Sequence, residues 1–156
     1  MTIFDKIKIA EDFQHGSAND DFFIDMPYMQ EGQLKALAAF IGGVMRRESL
    51  PGKNKPSWVD DSYQKIPMTD GYEQGEYWHY HCGPSYANSP LKSATYNLNT
   101  NFNGVTSSEI IHYQKMEDGT VFIVGFSPKH LPFPNSDDPN NGNPLFSDED
   151  DSSDKK

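Results

Sequence analysis

Two apolar-rich runs, Glu109 to Lys115 and Thr120 to Phe126, are separated only by Met116-Glu117-Asp118-Gly119. A glycine closing so short a connection supplies the positive φ that a tight turn needs, so the runs should fold back as an antiparallel hairpin. Val121-Phe122-Ile123-Val124 is apolar on both faces, which predicts a central strand. A third strand is predicted over Tyr77-Trp78-His79-Tyr80-His81-Cys82, an aromatic run stopped by Gly83-Pro84. Ala94 to Leu98 reads as a fourth, and Lys6-Ile7-Lys8-Ile9 as a short edge strand whose lysines discourage further pairing.

One helix is predicted from Glu31 to Arg47. Leu34, Leu37, Ala38, Ile41, Val44 and Met45 recur at the spacing of a single helical face, and Arg46 and Arg47 fall in the last turn. Gly42 and Gly43 weaken it, which suits close packing against the sheet. Glu11 to Asp25 reads as an acidic loop anchored by Phe22, Phe23 and Ile24, and Pro51 to Pro56 as a basic connector. The expected fold is α+β: a mainly antiparallel sheet of about four strands with one or two helices packed on it.

The expected organisation is one globular domain over residues 1–134 and a disordered acidic tail over 135–156. The tail holds half of the formal charge of −10, and its only large apolar residues are Leu145 and Phe146, too few to offset the entropy of ordering it. Aromatic residues make up 13% of the chain, enough for a real core. No apolar run is long enough to span a bilayer, and the N-terminal stretch is acidic where a secretory signal would be basic, so a cytoplasmic protein with no membrane partner is expected. Cys82 is the single cysteine, which rules out an internal disulfide and reads as a buried strand residue.

The chemistry-bearing residues are histidines. On a strand, His79 and His81 share a face with Tyr77, with Cβ atoms roughly 7 Å apart, close enough for both to reach one phosphate or one metal. His112 and Tyr113 lie on the hairpin's first strand, and Ser127-Pro128-Lys129-His130 follows its second, so neighbouring strands would gather four of the five histidines. Between Glu31 and Pro67 six basic residues, among them Arg46, Arg47, Lys53 and Lys55, face four acidic ones, a locally basic surface on an acidic chain.

Leu50-Pro51-Gly52 after an amphipathic helix, Trp78-His79-Tyr80-His81 on a strand, Thr106-Ser107-Ser108 leading into Ile110-Ile111-His112-Tyr113, and Phe122 through His130 occur in that order. This order resembles the YafO-like branch of the RelE-type mRNA interferase toxins, over about residues 31–130. The resemblance implies a small sheet with helices on one side, a cognate antitoxin as partner and mRNA on the ribosome as substrate, with no cofactor, metal or DNA. RelE-like sites usually carry strand arginines; here Arg46 and Arg47 fall on the predicted helix. Metal-free RNA cleavage needs a base for the 2′-hydroxyl, an acid for the departing 5′-oxygen and cations for the phosphorane. Histidine, with an unperturbed pKa of about 6.5, suits the first two roles and lysine the third. His79 and His81 are the acid/base candidates, Lys129 the phosphate contact, and His112 and His130 supporting or alternative groups. Tyr77 or Tyr113 would stack on a base, and Arg46, Arg47, Lys53 and Lys55 would contact RNA.

Two other readings are open. His-x-His with a third histidine can hold a metal facially, although the glutamate of the cupin pattern does not follow. Alternatively, an acidic non-enzymatic binding, immunity or phage-type inhibitor protein would use Asp20, Asp21, Asp60, Asp61 and the tail against a basic partner.

Overall fold

In the computed structural model, residues 2–16, 23–88 and 93–129 are described. The alternating segment at the start forms β1 (Lys6–Ile9), and α1 (Glu11–His15) follows at once, burying Phe13. A short 3-10 turn (Met26–Tyr28) leads into α2 (Glu31–Met45). Then come β2 (Asn54–Pro56), α3 (Asp70–Gln74), β3 (Tyr77–His81), β4 (Ile110–Lys115) and β5 (Thr120–Ser127).

The strands form one sheet in the order β1-β5-β4-β3-β2. The hairpin forms as its turn requires, with Gly119 at φ 92° and Gly119 N–H bonded to Met116 O at 3.1 Å. β2, β3, β4 and β5 pair antiparallel in series, whereas β1 runs parallel to β5, Lys6 opposite Thr120 and Ile9 opposite Ile123. A parallel pair needs a crossover, and here the crossover is almost the whole chain, α2 included. The α+β expectation holds, but the sheet has five strands and is mixed.

Three local expectations are corrected. Pro51–Pro56 contributes an edge strand as well as a connector. Three residues carry no readable periodicity, and Pro56 sits at the strand's end, where a missing N–H does little harm. Ala94–Leu98 makes only a single bridge, Thr95 to Leu50, because Asn97 and Leu98 adopt left-handed φ of 53° and 54°. Glu11–Asp25 includes the helix α1, which buries a single residue, Phe13, too little periodicity for the sequence to show.

α2 stops at Met45 because Arg47 turns left-handed at φ 55°, and its start is closed by a reciprocal bond pair between Gln30 and Gln33. Its buried face is Ala36, Leu37, Phe40, Gly43 and Val44; Leu34, Ala38 and Met45 are exposed. Phe40 is the centre of that face, its ring 5.2 Å from Tyr80 and 5.6 Å from Tyr113. The close approach at Gly43 is to Leu50 of the returning chain, whose Cδ2 lies 2.5 Å from where a Cβ would stand. α2 therefore covers the sheet face that presents Trp78 and Tyr80 from β3, and Ile111 and Tyr113 from β4. Alternation sends Tyr77, His79, His81 and His112 to the other face.

Candidate functional site

The second face is built by register. His79 and His81 are two apart on β3, and His112 of β4 stands directly opposite His79, so all three imidazoles share that face. Ring centroids are 6.0 Å apart for His79 and His81, and 6.4 Å for His79 and His112. His79 is the apex of the group and is half-buried, while His81 and His112 are buried. The expected polar surface is thus a partly enclosed polar layer.

Each histidine is held by a serine from a different part of the chain. His79 Nδ1 is 3.0 Å from Ser57 Oγ, and His112 Nε2 is 2.7 Å from Ser127 Oγ. His81 Nδ1 lies 2.9 Å from the carbonyl oxygen of Ser107 and 3.1 Å from its N–H, so its tautomer decides which bond forms. Ser107 is itself fixed, donating from Oγ to Glu109 O at 2.7 Å and accepting from Gly83 N–H at 3.0 Å. Phe23 provides the anchor expected of its segment: its ring tilts against His112 at 5.1 Å, over Gly125, which is opposite His112 in the β4–β5 register. A bulge follows at once, since Tyr113 pairs with Ile123 and leaves Val124 extra.

β2 brings cations to the same face. Lys55 stands opposite His79, and Lys53 is two residues before it. Their ammonium groups converge on one carboxylate oxygen, Asp61 Oδ1, at 2.8 Å and 2.9 Å. Hydrogen bonds from Lys55 and then Lys53 outweigh the opposing effect of burial and hold the Asp61 carboxyl down to about 2.

The other candidates are dispersed. Tyr113 belongs to the core: it follows His112 on a strand, must face the other way, is fully buried and donates from its hydroxyl to Asn54 Oδ1 at 2.6 Å. It is not placed to stack on RNA. Arg46 and Arg47 lie at the end of α2, in the layer on the far side of the sheet from the histidines, and Arg46 is paired with Glu48 at 3.0 Å. Tyr77 stays on the histidine face, half-buried and edge-on to Tyr72 at 5.9 Å. Lys129 is exposed two residues past β5. His130, Asp20, Asp21, Phe22 and the tail lie outside the described residues. Cys82 is buried next to β3, and burial, with a smaller contribution from Glu109, pushes its thiol up, away from nucleophile chemistry.

Among the described residues no three His, Cys, Asp or Glu side chains are arranged to hold a metal ion. No helix among them is long and apolar enough to cross a membrane. The residues that sequence reasoning missed are Ser57, Ser107, Ser127 and the role of Asp61. Ser107 and Ser127 stood in motifs the sequence displays, Thr106-Ser107-Ser108 and Ser127-Pro128-Lys129-His130, but nothing there assigned them to a histidine, and Ser57 had no signal. What results is an acid/base cluster flanked by two lysines, an arrangement suited to proton transfer around an anionic group. No protein-family model, no curated protein and no solved structure matches the chain.

Proposed function

We propose that this chain is an endoribonuclease that cleaves mRNA by histidine acid/base chemistry, the toxin of a toxin–antitoxin pair of the RelE type, YafO-like branch. The observation that carries the reading is the packing of His79, His81 and His112 on one sheet face beside Lys53 and Lys55. A small sheet covered on one face by its long helix is also the fold the family resemblance implies.

In this mechanism one imidazole takes the proton of a ribose 2′-hydroxyl. The 2′-oxygen bonds to phosphorus, the bond to the 5′-oxygen breaks, and a second, protonated imidazole gives that oxygen its proton. The products are a 2′,3′-cyclic phosphate and a free 5′-hydroxyl, with no net change in protons. His79 is the more accessible group and serves as the base, and His81, its Nδ1 anchored on Ser107, is the acid. His112, oriented by Ser127, positions His79, and Lys53 and Lys55 stabilise phosphorane charge. The partners are mRNA on the ribosome and a cognate antitoxin, in the cytoplasm.

The acidic-binder alternative is weakened at two of its own residues. Asp61 is engaged by lysines, and Asp60 accepts bonds from the N–H groups of Ser62 and Gln64 in its own turn. The deciding experiment is induced expression of the wild type beside His79→Gln and a His79→Ala, His81→Ala double variant, each confirmed folded by circular dichroism. Growth arrest and transcript cleavage by the wild type alone are expected. Absence of both from the wild type, or their retention in the folded His79 variants, overturns the reading.

A further inference from the structure

The two lysines and Asp61 form an unequal trio. The Lys53 and Lys55 side chains are only 11% and 13% exposed, whereas that of Asp61 is 67% exposed. The cations belong to the fixed framework. Lys55 is in β2, and Lys53 is bonded on both sides, its N–H to Val105 O and its carbonyl to His81 N–H, each at 2.9 Å. The carboxylate comes instead from a surface turn closed on itself, Asp60 N–H to Gln64 O at 2.9 Å and Tyr63 N–H to Asp60 O at 3.0 Å.

The charges do not balance. Among the described residues Asp61 is the only ion-pair partner of either lysine, so two positive charges meet one negative. Lys65 is the opposite case: it is 40% exposed and neutralised by both Asp70 and Glu73. Two desolvated ammonium groups pointing at one oxygen, with charge to spare, match a phosphate group better than a carboxylate. Inorganic or monoester phosphate offers more acceptor oxygens and up to two charges, and an RNA phosphodiester, with one charge in its ground state, gains the second in the phosphorane. The position is also the useful one, since Lys55 stands directly across from His79.

We infer that Lys53 and Lys55 form a seat for one phosphate group, which Asp61 occupies in the free protein and vacates when phosphate binds. The inference rests on the proposed function only in taking that group to be a phosphate of RNA. The seat itself follows from the geometry. Asp61 is then an internal competitor that lowers affinity for any phosphate-bearing ligand.

The test is titration of the full chain with inorganic phosphate, and with a short single-stranded RNA 2′-O-methylated throughout so that it cannot be cleaved. Asp61→Asn and Asp61→Ser should bind phosphate about tenfold tighter than the wild type, a gain of about 1.4 kcal/mol. Lys55→Ala should weaken binding by at least as much, and Lys65→Ala should leave it unchanged. In the wild type, saturating phosphate should shift the Asp61 amide and the Lys53 and Lys55 Nζ resonances while sparing Lys65. Folded Asp61 variants that bind no tighter, or a wild type whose Asp61 and lysine signals do not respond, overturn the inference. A seat that binds phosphate in a chain that cleaves no RNA leaves the inference standing and removes the nuclease reading. RNA cleavage with phosphate affinity indifferent to Asp61 does the reverse.

Discussion

Gly52→Ala places one methyl group where the chain has no room for it. Gly52 leads into Lys53, donates its N–H to Tyr80 Oη at 2.8 Å and accepts at its carbonyl from Thr95 Oγ1 at 2.7 Å. A Cβ there would lie 2.6 Å from Tyr80 Cζ and 2.8 Å from Cε1, and closer still to the carbonyl oxygen of His81. Carbon–carbon contacts settle at about 3.5–4.0 Å, so something must retreat by about 1 Å. Tyr80 is 2% exposed and backed by Phe40, and the His81 carbonyl is part of β3, so neither can yield. The lead-in to β2 must lift off instead. That cuts the Gly52–Tyr80 and Thr95–Gly52 bonds and strains the bond from His81 N–H to Lys53 O. Overpacking of this kind costs about 1–3 kcal/mol and each lost buried hydrogen bond about 1 kcal/mol, so a loss of about 4 kcal/mol is expected. This is a large share of the roughly 5–15 kcal/mol that stabilises an ordinary domain. Gly42→Ala is the control. The nearest atoms to its methyl would be those of the Arg46 guanidinium, 2.9 Å away at Nη1, the exposed end of a flexible side chain. Alanine in a helix gains about 0.5–1 kcal/mol over glycine, so the net effect should be zero to slightly stabilising. Urea denaturation with the m-value held as a check separates the two. A Gly52→Ala protein within about 1 kcal/mol of the wild type would refute the argument.

Two more outcomes follow from buried titratable groups. Lys115 Nζ lies 3.4 Å from the centre of the Trp78 ring and donates to Leu98 O at 2.6 Å; burial lowers its pKa to about 8, against the opposing charge of Glu76. Between pH 8 and 10 the unfolded Lys115 therefore holds a proton the native one has lost, which raises stability with pH by about 2 kcal/mol. The buried Cys82 thiol works in the opposite sense over the same range, so the rise is read in a Cys82→Ala background. Above pH 10 the trend should reverse, because burial raises Tyr80 and Tyr113 and only the unfolded tyrosines ionise there. Lys115→Met should flatten the rise in a pH series of urea melts; an unchanged slope would contradict the assignment. For Cys82, whose thiol burial pushes up, no reaction with a disulfide reagent is expected in the native protein at pH 8, and full reaction in urea. Rapid native labelling would show that the strand end opens.

The legible parts of this fold are those set by neighbours in sequence. The hairpin was readable because Gly119 and the two apolar runs specify it within a few residues. α2 was readable as a helix, yet its buried face was read one step round: the Leu34, Ala38, Met45 stripe has helical spacing but faces outward, and Phe40 was left out. Both stripes are apolar, and only packing against Tyr80 and Tyr113 selects between them. For Tyr113 the sequence held the answer: a residue next to His112 on a strand must point the other way, so both could not serve one surface. β2 was hidden for a different reason, since its three residues pair with β3 by backbone bonds that leave no side-chain pattern.

By itself the sequence determined that His79 and His81 share a face, that Tyr113 opposes His112, and that the last two strands form a hairpin. A two-residue period and a tight turn are properties of the local backbone. Tertiary structure decided that His112 stands beside His79, that β1 pairs in parallel with a strand more than a hundred residues away, that three distant serines hold three imidazoles, and that Asp61 sits on two lysines. These depend on register between segments far apart in the chain. Loop closure penalises distance only weakly, so sequence separation does not indicate which of many compatible partners will meet; the shared core decides that.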